Sequence, residues 1–196
     1  MLAEKGWNTM GWPKEYGGQG ASPMTQLILM EEWSYHGAPG LDTFGINLLG
    51  PTLMVHGTEE QKKEYLGEIA RGEVVWCQGF SEPESGSDLA SLRTSAVEDG
   101  DDYVINGQKI WSSYAQYADR MFLLARTNTE AVKHRGITFF LLDMKSPGIT
   151  VRPIEEMSGE SSFNEEFFDD VRVPKQNILG EIDRGWYVAM TLLDFE

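Results

Sequence analysis

WCQGFSEPESGSDLASLRTSA, Trp76 to Ala96, passes from an apolar run into a loop crowded with hydroxyls, Gly and Pro. Val74, Val75, Trp76, Cys77 and Phe80 suit a buried strand, and Glu82-Pro83 ends it because Pro offers no backbone donor and fixes its own φ. In the following loop, Glu84 to Asp88, Gly86 permits a close backbone approach. Ser81, Ser85 and Ser87 supply hydroxyls and free N–H groups for an oxygen-rich ligand. A polar turn that merely closes a strand is the plainer reading of the same residues. The choice between them depends on the rest of the chain.

Upstream of this stretch the pattern is helical. Trp7 to Gly20 is an irregular aromatic and Gly-rich loop. Gly18-x-Gly20 starts a dinucleotide-type G-x-G-x-x-G but meets Pro23 at its third position and has no strand before it. Ser22-Pro23 caps a helix running to about His36, whose Leu27, Ile28, Met30 and Trp33 are expected in the core. A second helical segment, about Leu41 to His56, is expected to break at Gly50-Pro51. Thr58-Glu59-Glu60-Gln61 is a capping box opening a third helix to about Ala70, with Tyr65, Leu66 and Ile69 inward and Gln61 to Glu64 largely outside.

Downstream the pattern is β. Runs at 92–97, 103–105, 110–111, 121–126, 136–144, 149–154 and 165–172 are separated by turn residues, with hairpin turns expected at Asp99-Gly100 and Asn106-Gly107. Short strands at this spacing predict an antiparallel barrel or sandwich of six to eight strands. A last helix is expected near Gly185, with Trp186, Val188, Met190, Leu192 and Leu193 apolar. The fold class is therefore α+β. Its expected parts are a helical domain over 1–74, a β-barrel-like domain over 75–180 and the start of a further helical domain over 181–196.

Composition narrows the function. A formal charge of −15, with no Lys/Arg run, argues against nucleic acid as a partner. Cys77 is the only cysteine, which excludes an intrachain disulfide and Cys-rich metal sets, and His36, His56 and His134 lack ligand spacing. No metal is expected. Residues 1–7 show no basic region followed by an apolar core, and no run of about 18 apolar residues occurs. The expectation is a protein without signal peptide or membrane span, located in the cytoplasm or, in a eukaryote, the mitochondrial matrix.

Two motifs decide between the readings of the serine loop. Ser81-Glu82-Pro83-Glu84-Ser85-Gly86-Ser87-Asp88 is followed by Asn106-Gly107-Gln108-Lys109-Ile110-Trp111-Ser112-Ser113. Together with Gly11-Trp12-Pro13, Tyr16-Gly17-Gly18, Gly57 to Lys62 and Phe168 to Pro174, they resemble the acyl-CoA dehydrogenases along essentially the whole chain. The resemblance implies an FAD-dependent enzyme that dehydrogenates an acyl-CoA thioester to the enoyl-CoA and passes electrons to an electron-transfer protein. It also implies a homo- or hetero-oligomer and further helical segments before and after this chain. Alternatives that keep the fold are an acyl-CoA oxidase using oxygen, or a flavin-free assembly subunit.

The resemblance also implies roles for residues. Gln78, Phe80, Ser81, Trp111, Ser112 and Ser113 would bind the flavin, and Ser87 would stand at the acyl-CoA side. Ser replaces the commoner Thr at 81 and 113, while Glu84 replaces a small residue. Gly185 to Glu196 repeats the G-x-x-x-x-x-x-x-L-x-x-E spacing of relatives that carry the catalytic base on this helix, which makes Glu196 the candidate base; other relatives place it much later.

Overall fold

The computed structural model describes residues 2–38 and 42–195. Helix α1, Pro23–Tyr35, is capped by the Ser22 hydroxyl, which accepts from the Thr25 amide. Contrary to expectation, it buries no side chain among the described residues: Leu27, Ile28 and Met30 are all exposed. The next segment does not break at proline. A π-helical stretch, Phe44–Leu49, runs directly into α2, Gly50–His56. In the i→i+5 pattern residue 51 would bond the carbonyl of Ile46. Pro51 has no donor, and the Trp12 indole N–H takes that carbonyl instead at 3.0 Å.

Thr58 forms the expected capping box with Gln61 at the start of α3, Glu59–Gln61, which continues through Lys62–Leu66 into α4, Gly67–Arg71. Tyr65, Leu66 and Ile69 are buried as expected. Gln61 is buried too, contrary to expectation, because its side-chain amide donates to the carbonyls of Gln176 and Ile178, both at 2.8 Å. The capping glutamine thereby ties the helices to the end of the sheet.

Among the described residues seven strands follow: β1 Trp76–Gly79, β2 Ser95–Asp99, β3 Asp102–Ser113, β4 Arg120–Arg126, β5 Ile137–Asp143, β6 Ile149–Ile154 and β7 Phe163–Pro174. The sheet runs β1-β4-β2-β3-β7-β6 with β5 also paired to β4, and it is antiparallel except where β1 and β2 meet β4. Asn106-Gly107 is not a hairpin turn. It lies inside β3 at a register shift against β7, and the Asn106 side chain bonds Asp170 across the strands.

The curled sheet separates two cores. Met121, Leu123 and Ala125 of β4 join Phe140 and Leu142 of β5 inside the barrel, beside Cys77, Ile105 and Phe168. The alternate residues Phe122, Leu124, Phe139 and Leu141 pack outward against Leu49, Leu53, Leu66 and the final helix α5, Gly185–Leu193. Burial on both faces explains why β4 and β5 read as unbroken apolar runs rather than as alternating ones.

Candidate functional site

At the open end of the outer face, Phe44, Gln78, Phe80, Ser81, Ile110, Trp111 and Ser113 line a cleft of about 190 Å³. Gln78 and Phe80 belong to β1 and to the residue just past it, and their even spacing puts both on the cleft side. Phe80 also stacks edge-on against Phe122 and Phe139, which anchors the cleft floor in the outer core.

The two motifs are held together by buried polar contacts. Lys109, fully buried, donates to the Phe80 carbonyl and to Glu82, each at 2.9 Å, and the Ile110 amide donates to the Ser81 carbonyl at 3.0 Å. Glu82 also accepts the Arg93 and Thr94 amides at 2.7 and 2.8 Å. Burial works to raise the Glu82 pKa, but the Lys109 ammonium and these donors outweigh it and hold the carboxylate below its usual range. Burial pulls Lys109 down to about 8 despite its partner.

Strand geometry explains which residues reach the cleft. Consecutive side chains of a regular strand point to opposite faces, yet Ile110 and Trp111 both line the cleft. A β-bulge makes this happen: Ile110 pairs with Glu165 and Ser112 with Asn164, so Trp111 has no cross-strand partner and adopts φ 68°. The indole is left 57% exposed, edge-on to Phe163.

Beyond the bulge, alternation resumes. Ser113 faces the cleft and Ser112 faces the barrel interior, where its hydroxyl donates to Glu166 at 2.7 Å. Of the residues expected to meet one ligand, Gln78, Phe80, Ser81, Trp111 and Ser113 come together and Ser112 does not. Ser87 stands exposed on the loop outside the cleft, and Glu196 lies outside the described residues. Phe44 and Ile110 complete the lining and were not anticipated. Phe44 arrives from a π-helical segment with no sequence tie to the motifs, whereas Ile110 sits inside one of them.

The cleft suits a flat heterocycle with a polar edge. The Gln78 amide and the Ser81 and Ser113 hydroxyls have no hydrogen-bond partner among the described residues, and they face the same space as the exposed indole and the apolar Phe44, Phe80 and Ile110. Among the described residues, no group of three or more His, Cys, Asp or Glu could hold a metal ion, and no helix is long and apolar enough to cross a membrane.

Comparison with known proteins agrees with the motifs. The family model for the acyl-CoA dehydrogenase N-terminal domain matches residues 1–73, and that for the acyl-CoA dehydrogenase middle domain matches residues 77–171. Acyl-CoA dehydrogenase FadE26 of Mycobacterium tuberculosis is 46% identical over 199 residues, covering 100% of this chain and 49% of the relative. A solved structure described as the Tcur3481-Tcur3483 steroid ACAD is 44% identical with a TM-score of 0.92, covering 100% of this chain and 50% of its own. The ChsE4-ChsE5 complex from Mycobacterium tuberculosis is 46% identical with a TM-score of 0.90, with the same coverage. The chain thus spans about half the length of these relatives. With both domain models matched in order, this chain belongs to the acyl-CoA dehydrogenase family.

Proposed function

We propose that the cleft between β1 and β3 holds the isoalloxazine of FAD and that the protein is an acyl-CoA dehydrogenase, converting an acyl-CoA thioester to its enoyl-CoA. The observation that carries this reading is the convergence of Trp111 with the unpartnered Gln78, Ser81 and Ser113 side chains on one cleft. A bound flavin supplies the acceptor for the hydrogen that leaves as hydride. Trp111 offers a face, Gln78, Ser81 and Ser113 supply polar contacts, and Phe44, Phe80 and Ile110 exclude water. The Lys109–Glu82 pair keeps the two sides of the cleft in register. Glu196 is the carboxylate assigned to remove the α-proton.

The substrate class follows from the relatives. Similarity at 44% identity to a protein titled a steroid ACAD favours a CoA thioester with a bulky ring system over a short straight chain. Two of the similar structures are named as pairs of different proteins, which favours a hetero-oligomer. An electron-transfer protein accepts the electrons, and the cytoplasm is the assigned location.

The test is an absorbance spectrum of the full-length protein, taken anaerobically before and after straight-chain and steroid CoA thioesters. A yellow protein bleached by the steroid thioester, with enoyl-CoA formed, supports the reading. A colourless protein overturns it in favour of an assembly subunit, and peroxide formed in proportion to enoyl-CoA without added acceptor replaces it with an oxidase.

A further inference from the structure

The barrel interior behind Trp111 holds a polar cluster where apolar side chains would pack at no cost in desolvation. Glu166 and Asn164 lie on the same face of β7 and are both fully buried. Lys109, directly across the ladder from Glu166, spends its ammonium on Phe80 and Glu82 instead. Glu166 is left with one bond, from the Ser112 hydroxyl at 2.7 Å, and its second oxygen has no partner. Asn164 donates to the Ser112 carbonyl at 2.9 Å and to the Gln116 side chain at 2.6 Å, while its own oxygen is unpartnered.

Residue 112 is therefore gripped twice from inside the barrel, once by its hydroxyl and once by its carbonyl. It immediately follows Trp111, whose left-handed backbone is unfavourable for a bulky side chain and persists only where the surroundings over-determine it. On the other side of the bulge, Lys109 and Ile110 are fixed to the Phe80–Glu82 loop. The inward grip on Ser112 adds to the ladder pairs Ser112–Asn164 and Ser113–Phe163 and the Tyr114 amide bond to the Ser162 carbonyl in opposing a one-residue slip, which would turn Trp111 off the cleft face.

We propose that Glu166 is a positioning residue for the cleft: through the Ser112 hydroxyl it holds the bulge in place, so that Trp111 and Ser113 both face the cofactor side. The positioning is independent of what the cleft binds; its consequence for flavin rests on the function proposed above.

The experiment uses the full-length protein and compares E166Q, E166L and S112A, each also made in a W111F background. The difference in acrylamide quenching between each pair isolates the Trp111 signal, and the spectrum of bound flavin is recorded alongside. The glutamine variant, whose carbonyl still accepts from Ser112, keeps the parent's Trp111 quenching and flavin band. The leucine and alanine variants lose Trp111 quenching and shift or lose the flavin band. Unchanged Trp111 quenching in S112A overturns the proposal even if E166L fails to fold, because removing one oxygen leaves the barrel volume nearly intact. Because the quenching is read on flavin-free protein as well, a colourless parent sinks the cofactor assignment while the Trp111 comparison still decides the role of Glu166.

Discussion

Glu166 and Lys109 face each other across the same ladder, and one cause, burial, shifts them in opposite directions. Burial, only partly offset by the Ser112 hydroxyl, pushes the Glu166 carboxyl from 4.5 up to about 8, and Glu165 adds to the rise while Lys109 opposes it. In the unfolded chain the group ionises near 4.5, so between 4.5 and about 8 the unfolded state has lost a proton that the folded state keeps. Stability from this group is complete below that window, declines as pH rises through it and is flat above it. Lys109, lowered from 10.5 to about 8, acts above the window, where the unfolded state binds the extra proton and stability rises with pH. Glu82, held low, acts below it. Cys77, on which the charges of Glu166 and Asp42 act, is pushed well above its usual range, by burial first, and stays a thiol throughout. Urea melts from pH 5 to pH 8 are expected to lose stability in the parent throughout, whereas in Glu166→Gln the loss is confined to the region up to about pH 6, where Asp42, raised by burial to about 6, still acts. An equal decline in both would assign the effect to another group.

At the scale of elements, close approach rather than propensity sets where the helices lie. Helix α5 begins at Gly185, where a Cβ would fall on the backbone of Thr138 and Phe139 in β5. The apolar pattern from Trp186 to Leu193 shows that a helix forms here. It cannot show that its first turn rests directly on a strand. The same limit applies to β3, where Asn106-Gly107 has the composition of a hairpin turn, but Thr94 packs against Gly107 and the Asn106–Asp170 bonds keep the strand running through it. Local sequence reported a glycine at both places; neighbours distant in sequence determined its use, close approach to β5 at Gly185 and a backbone at φ 151° beside Thr94 at Gly107. Gly185→Ala is expected to lower stability by about 1–3 kcal/mol through forced separation of α5 from the sheet. Gly86→Ala, with open space around it and no left-handed φ, should stay within about 0.5 kcal/mol of the parent. Thermal melts of the two variants side by side check the pair, and equal losses would mean that α5 does not depend on this contact.

For the molecule as a whole, the order of helices, then strands, then a helix was legible because hydrophobic period and capping are local signals, and five of the seven residues lining the cleft are among those that the resemblance singled out. The bulge at Trp111, the inward turn of Ser112 and the exposure of α1 were not legible, since each depends on cross-strand register or on which surface a helix meets. Net charge was legible too, and the structure now shows how it is distributed near the loop assigned to the acyl-CoA side. Among the described residues, two exposed cations there are paired, Arg93 with Glu84 at 3.0 Å and Lys133 with Asp88 at 2.7 Å, while Arg126 donates to the Ala90 and Leu92 carbonyls. On the function proposed above, a CoA thioester with its several phosphates meets the −15 formal charge of this chain as repulsion at long range and finds no unpaired cation in this pair of contacts. Glu84→Gln removes one negative charge and releases Arg93. An exposed pair of this kind is worth up to about 1 kcal/mol, so the KM for acyl-CoA should fall by up to about fivefold with kcat unchanged. Raising ionic strength from about 0.01 to 0.1 M shortens the screening length from about 30 to about 10 Å, so it should speed association in the parent and do so less in the variant. Stopped-flow binding at the two salt concentrations measures both effects. Slower binding by the parent in higher salt would mean that a cationic surface elsewhere in the protein dominates the encounter.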